Sequence, residues 1–224
     1  MNGYYDDKLA ADKLRQCYEI APPRVQQYLQ AEIDYVLQYV DSDDTVLELG
    51  CGYGRVLKQL NQKAGEVVGI DTSLTSLQLA RQALADMPHI HLLAMDATRP
   101  GFADAVFDCV VCIQNGIAVF GVSKKELLHQ SLRVTKPGGM VLFSSYSPRF
   151  WQPRLNWFRL QSEAGLVGII DEENTGEGVI VCRDGFTAST VSGQQFQSLT
   201  DDLPAQVTIS EVDKSSLFCR LIRS

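Results

Sequence analysis

The sequence has no apolar run approaching the roughly 20 residues that a membrane-spanning helix needs. Its opening, MNGYYDDKLAADKLRQ, carries acids where a secretory leader carries an apolar segment. No membrane partner is expected, and a cytoplasmic setting is. Basic charge is short as well: 20 Lys+Arg stand against 27 Asp+Glu, a net charge of −7. That balance argues against broad phosphate-backbone binding, so no nucleic-acid partner is expected. There are only three histidines. His89 and His91 lie two apart without further ligands nearby, so no metal is expected. Repeats and low-complexity linkers are absent. The six cysteines, Cys17, Cys51, Cys109, Cys112, Cys182 and Cys219, are scattered, and without a leader they read as reduced thiols. Cys109 and Cys112 have C-x-x-C spacing but fall inside an expected strand, where residues three apart face opposite sides.

What is present suits a globular core: 224 residues, 45% hydrophobic, the size of one large domain or two small ones. Pro22-Pro23 suits a helix start. Val25, Leu29, Ile33, Val36, Leu37 and Val40 then share one helical stripe. TVLELG reads as a strand closed by glycine, 55–64 as a helix, EVVGID as a second strand, LTSLQLARQALAD as a helix and HIHLLAMD as a third strand. FDCVVCI, apolar almost throughout, reads as a strand covered on both faces. Ser123 and Glu126 form a capping box opening a helix that ends near Val134. Lys136-Pro137-Gly138-Gly139 is a turn and MVLFSSYS a fifth strand. Strands alternating with helices predict an α/β fold with a parallel sheet and right-handed crossovers.

The densest signal is VLELGCGYGR, residues 46–55: strand, then Glu48-Leu49-Gly50-Cys51-Gly52-Tyr53-Gly54, then helix. Glycines here let the chain turn tightly and let a ligand approach the backbone. In an open α/β sheet the ligand crevice lies beyond the carboxyl ends of the strands, the edge this loop occupies. A dinucleotide fingerprint is spaced G-x-G-x-x-G. Here the third glycine comes one residue early and Arg55 holds its slot.

The E-x-G-x-G-x-G pattern resembles motif I of the class I S-adenosylmethionine-dependent methyltransferases. The resemblance continues through Gly69-Ile70-Asp71-Thr72-Ser73, Met95-Asp96-Ala97, Ile113-Gln114-Asn115 and LRVTKPGGMVLFS, where Thr135 replaces the family's usual Leu. It covers about residues 45–145. It implies a Rossmann-like fold: a mostly parallel seven-stranded sheet with an antiparallel last strand. It implies S-adenosyl-L-methionine as cofactor, bound by Glu48, Gly50, Cys51, Gly52 and Gly54 of the loop. Asp71, with Thr72 and Ser73, would take the ribose, Asp96 and Ala97 the adenine, and Gln114 would lie near the methyl. Glu48 either bonds the loop's own N–H groups or meets the cofactor's ammonium. In related enzymes an N-terminal arm folds over the pocket; here the arm holds Tyr4 and Tyr5, and Tyr18 and Arg24 are its candidate contacts. Asn115 and Tyr146, at strand ends, are candidates for positioning in catalysis. Gln114-Asn115-Gly116 departs from the N-P-P-Y motif of transfer to a planar nitrogen. The expected reaction is in-line displacement onto a small-molecule acceptor. A Rossmann-fold NAD(P)-dependent oxidoreductase and a cofactor-binding protein without transferase activity stay open.

After Pro148 the pattern changes. Arg149, Arg154 and Arg159 lie among Phe150, Trp151, Trp157 and Phe158. A packed amphipathic helix with snorkelling Arg stems, a substrate lid or homodimer contact, and a nucleic-acid stacking platform all fit this mixture. Residues 168–190 read as a small antiparallel β insert after strand five, with Asp171–Glu177 as a solvated tip. SGQQFQSLTDDL reads as a helix, and VTISEVD and SLFCRLI as a closing hairpin. We therefore expect one domain, 1–224: a helical arm (1–44), a cofactor-binding core (45–147), an insert or lid (148–200) through which a homodimer is also conceivable, and the hairpin (201–224).

Overall fold

The computed structural model describes residues 11–120 and 123–224, so Tyr4 and Tyr5 lie outside the described residues. Helices α1 (Asp12–Glu19) and α2 (Pro23–Leu37) lead into the sheet. Pro23 opens α2 where its missing N–H would have no helical partner anyway. Then come β1 (Thr45–Leu49), α3 (Leu57–Leu60), β2 (Glu66–Asp71), α4 (Leu74–Ala83), β3 (Ile90–Ala94), β4 (Phe107–Cys112), α5 (Gly116–Val119), α6 (Lys124–Val134) and β5 (Thr135–Tyr146). A 3-10 turn, Pro148–Phe150, leads to α7 (Trp151–Glu163), β6 (Ile180–Val181), β7 (Thr187–Ala188), α8 (Gly193–Thr200), β8 (Ala205–Val212) and β9 (Ser216–Arg223).

The main sheet runs β3-β2-β1-β4-β5-β9-β8. β1 to β5 are parallel, and β9 is antiparallel to both β5 and β8. Strand order reverses between β1 and β4, which opens a crevice at their carboxyl ends. Side-chain alternation divides the core between the two faces. Val46 and Val67 pack with Ile33 and Val36 of α2 and Leu77 of α4, whereas Leu47 and Val110 pack with Leu128 of α6 and Phe196 of α8. Cys109 and Cys112 fall into these two opposite clusters, as their spacing in a strand requires.

Three local departures from the sequence reading have physical causes. The helix expected over 55–64 is regular only at Leu57–Leu60. Around it the backbone bonds mix i−3 and i−4 spacing, as in Gln59 N–H to Val56 O and Lys58 N–H to Gly54 O. The expected turn at 136–139 exists, but as a bulge inside β5: Phe107 faces Thr135 while Cys109 faces Met140. Lys136 Nζ ties the bulge down by reaching both Asp108 oxygens at 2.8 Å. At the head of α6, Ser123 Oγ accepts the Glu126 N–H at 3.3 Å, but the Glu126 carboxylate turns to Gln130 instead of completing the box.

The segment after β5 does not pack by itself. Leu155, Phe158, Ile180, Phe186 and Ala188 form one cluster with Cys17 of α1. Trp157 and Phe150 join Val25, Tyr28 and Tyr146 in another. The three arginines have separate duties. Arg149 meets Glu211 at 3.0 Å and Arg159 meets Glu172 at 2.8 Å. Arg154 is buried, donating to the carbonyls of Gly178 and Ala188. Glu172, in the expected solvated tip, is thus tied back to α7.

Candidate active site

A cavity of about 730 Å³ opens at the carboxyl ends of β1 and β4, within the range of small-molecule sites. Its floor is the glycine loop. Gly50 and Cys51 donate their N–H groups to Ile70 O, which pulls the loop over the end of β2. Gly50 takes φ +72, and a Cβ there would stand 2.6 Å from the Phe120 ring. Only glycine lets the loops after β1 and β4 approach this closely. Asp71, ending β2, accepts the N–H of Gly52 through Oδ2 and that of Ser73 through Oδ1, both at 2.8 Å. Ser73 also caps α4, accepting the Ser76 N–H at 3.2 Å. Asp96 is exposed, and its Oδ1 accepts from Thr98 N–H and Oγ1.

Glu48 is buried at the end of β1. Burial pushes its carboxyl up to about 8, with Arg55 opposing the shift and Asp71 adding to it, and the Leu57 N–H bonds it. Leu57 opens α3, so this contact ties the end of β1 to the start of that helix. Glu48 Oε2, however, has no partner among the described residues. Arg55 Nη2 and Gln114 Nε2 are also buried without a partner, and all three side chains line the cavity. A carboxylate, a guanidinium and an amide left unsatisfied around one space are a costly arrangement unless a ligand completes it. An acid facing a cation site and an arginine facing an anion site match a zwitterionic amino-acid group, such as the one S-adenosylmethionine carries. The site therefore fits that cofactor.

The roof is aromatic. Tyr18 of α1 lies under the Arg55 guanidinium at 4.7 Å and packs tilted against Trp157 and Tyr53. Trp157 Nε1 donates to Cys17 O at 2.8 Å, joining α7 to α1 over the cavity. Tyr146 sits between Tyr28 and the Arg154 guanidinium. Burial raises the phenols of Tyr18 and Tyr146, and pushes the Cys17 thiol up to about 12. These groups are neutral at physiological pH. Gln161, also buried, lines the same end.

The cavity brings together Glu48, Gly50, Cys51, Gly52, Asp71, Thr72, Ser73, Asp96, Ala97, Gln114, Asn115, Tyr146 and Tyr18. Gly54 does not line it. Its φ is +87, and a Cβ would stand 2.5 Å from Leu84 Cδ1, so this glycine packs the loop onto the helix side instead. Arg24 does not line it either: Asp213 holds its Nη1 at 2.7 Å, stapling α2 to the turn between β8 and β9. Asn115 is largely spent on structure, donating to Ser189 O and accepting from Ser145 Oγ. His89 and His91 both reach Glu66, at the opposite end of the sheet.

Several residues escaped the sequence reading. Arg55 entered it only as an occupant of a missing glycine's slot. Gln161 and the Trp157 hydrogen bond depend on where α7 docks, which no local pattern encodes. Glu32 left one legible signal: it falls seven residues after Val25, on the buried stripe of its helix, where a carboxylate is out of place.

Residues 46–139 match the model of a family described as a methyltransferase domain. The chain is 30% identical over 118 residues to a ubiquinone biosynthesis O-methyltransferase of Alkalilimnicola ehrlichii, covering 50% of this chain and 47% of that protein. It is 35% identical over 102 residues to a demethylmenaquinone methyltransferase of Renibacterium salmoninarum, covering 46% and 41%. The chain thus spans less than half the length of these relatives. Among solved structures, a SAM-dependent methyltransferase from Aquifex aeolicus superposes with TM-score 0.63 at 15% identity, covering 96% of this chain and all of that one. The N-methyltransferase NodS of Bradyrhizobium japonicum, solved with S-adenosyl-L-homocysteine, superposes with TM-score 0.60 at 16% identity, covering 97% and 99%. At such identities the superpositions speak for the fold.

Proposed function

We propose, from the match of residues 46–139 to a methyltransferase-domain family, that this protein is a class I S-adenosylmethionine-dependent methyltransferase and transfers a methyl group to a small-molecule acceptor by in-line displacement. The observation that carries the reading is the single cavity in which unsatisfied Glu48, Arg55 and Gln114 face an aromatic-walled end. S-adenosylmethionine supplies a methyl group already activated by its positive sulfur. The chain's own work is binding, orientation and exclusion of water. Asp71 accepts from the ribose hydroxyls while it braces Gly52, and Asp96 takes the adenine side. Glu48 and Arg55 hold the amino-acid end. Gln114 flanks the transfer point, and Tyr146, Trp157 and Phe158 wall off the acceptor's end.

Positioning and desolvation are sufficient sources of rate for such a displacement, on the order of 7–11 kcal/mol in favourable cases. The tyrosines and Cys17 at the acceptor end are poor bases while burial keeps them protonated. The acceptors that suit them best present their nucleophile ready-made: a neutral amine, a carboxylate or a thiolate. Calorimetric titration with S-adenosylmethionine, S-adenosylhomocysteine and NAD, followed by a radiolabelled methyl-transfer screen over acceptor classes, tests the reading. Binding of NAD in preference to both sulfur compounds would overturn it, and cofactor binding without transfer across the acceptor classes would leave a binding protein.

A further inference from the structure

Glu32 is the one buried acid of α2. Its side chain has no exposed surface, and it reaches the carboxyl ends of β4 and β5 and the amino end of the antiparallel β9. Oε1 accepts the Ser216 hydroxyl of β9 at 2.5 Å. Oε2 accepts the Ser144 hydroxyl of β5 at 2.8 Å and the backbone N–H of Gln114, just past β4, at 2.6 Å. Ser144 Oγ shares that same N–H at 2.8 Å. Gln114 and Asn115 take φ of +58 and +67, a region that residues other than glycine seldom enter, and rarely twice in succession. Such a turn persists only when its surroundings over-determine it. Here the over-determination is the hydrogen bond that the first of the two amides donates to the buried Glu32 side chain. The turn's outcome bears on the site, because both residues line the cavity, where Gln114 Nε2 is buried without a partner among the described residues.

We propose that Glu32 is a positioning residue for methyl transfer: by gripping the Gln114 N–H it fixes the left-handed turn that presents the Gln114 amide to the transfer point. The inference rests on the methyl-donor reading above. Glu32 does not line the cavity and acts only through Gln114.

The test needs no acceptor. S-adenosylmethionine and S-adenosylhomocysteine differ only at sulfur, in the methyl group and its positive charge, so the ratio of their affinities reads how the amide dipole is aimed at that point. Calorimetry on wild type, Glu32→Ala and Glu32→Gln measures it. Glu32→Gln can still accept the Gln114 N–H through its carbonyl while its NH2 group donates to the Ser216 hydroxyl, so it should keep the wild-type ratio. Glu32→Ala should keep its affinity for S-adenosylhomocysteine but lose about tenfold for S-adenosylmethionine, the scale of a buried donor left unpaired. An unchanged ratio in Glu32→Ala would overturn the positioning role. So would an equal loss in Glu32→Gln, which would assign the effect to charge. Should Glu32→Ala fail to fold, Ser216→Ala loosens the same carboxylate more gently; a shift of about threefold is then expected, and no shift overturns the role. A wild type that bound neither compound would instead bring down the methyl-donor reading itself.

Discussion

The two ends of the cavity are built by different means. At the glycine loop the backbone is the instrument: positive φ at Gly50 and Gly52, N–H groups folded onto Ile70 and Asp71, and a close approach to Phe120. At the roof the side chains are the instrument: Tyr18, Tyr146, Trp157 and Phe158 come from α1, the end of β5 and α7, and they meet only after these have docked. A backbone site tolerates little change in sequence, because glycine has no substitute at such φ values. A wall of rings tolerates repacking. On the proposed reading, the floor holds the cofactor and the roof meets the acceptor.

The largest effect expected is at the floor. Gly52 has φ +53, and a Cβ would stand 3.3 Å from Leu14 Cδ2. Valine there adds left-handed strain of roughly 1–2 kcal/mol and a branched side chain directed into the cavity. Gly52→Val should lose cofactor binding while keeping a wild-type circular dichroism spectrum. Normal binding by this variant would place the cofactor elsewhere and dissolve the contrast between the two ends.

The next contrast is electrostatic. Burial holds Glu48 up at about 8 and Glu32 at about 7, against an ordinary 4.5. Burial raises the roof's Cys17, Tyr18 and Tyr146 as well, which holds them in their neutral form across the physiological range. An acid whose folded pKa is raised stabilises the fold fully below its unfolded pKa, and that contribution disappears as pH rises through the folded value. The unliganded protein should therefore lose stability from about pH 5, on the order of 1 kcal/mol per pH unit for each carboxyl, up to about pH 7 for Glu32 and about pH 8 for Glu48. Urea midpoints measured across that range check it. Glu48→Gln should flatten the slope, and a variant with the wild-type slope would mean that Glu48 is ionised throughout.

This difference in construction also decides what could be read in the sequence. The floor was legible because backbone geometry is written locally: Glu48, the glycines, Asp71 and Asp96 follow strand ends at regular spacing. Even there Gly54 was assigned to the ligand when it serves packing against Leu84, since spacing does not reveal what a missing Cβ would meet. The roof was not legible. The rings near Trp157 were visible, but not that Trp157 would bond Cys17, 140 residues away. Arg24 seemed as plausible a pocket residue as Tyr18, and only its pairing with Asp213 of the closing hairpin separates them.

Asp71 sits where the floor meets its ligand, and its loss should be smaller than that of Gly52. Asp71→Ala should weaken cofactor binding by about 1.5–3 kcal/mol through lost charge-assisted bonds. Some of that loss comes from releasing the Gly52 and Ser73 N–H groups. Asp71→Asn divides the two contributions, since it keeps one acceptor for the loop. Unchanged affinity in a folded Asp71→Ala would remove the ribose role.

The smallest effect sharpens the comparison most, because it acts on the roof alone. Trp157→Phe keeps an aromatic body in the cluster with Val25, Tyr28 and Tyr146 and deletes only the N–H that reaches Cys17 O. The lost bond should lower stability by about 1 kcal/mol, with a further share if the Cys17 carbonyl stays dry and unpaired. The consequence beyond stability follows from where that bond lies. It is a direct link between α7 and α1 across the cavity, and Tyr18, the next residue along α1, packs on the Trp157 ring at 5.9 Å. Releasing it lets α1 move relative to α7 while the glycine loop, Asp71 and Glu48 keep their own hydrogen bonds. Cofactor affinity by calorimetry should therefore change by less than about twofold, while methyl-transfer rates on any accepted substrate fall by more. A variant that lost cofactor affinity and turnover in equal measure would show that the roof clamps the cofactor as tightly as the floor does, and the two ends would then have to be treated as one site.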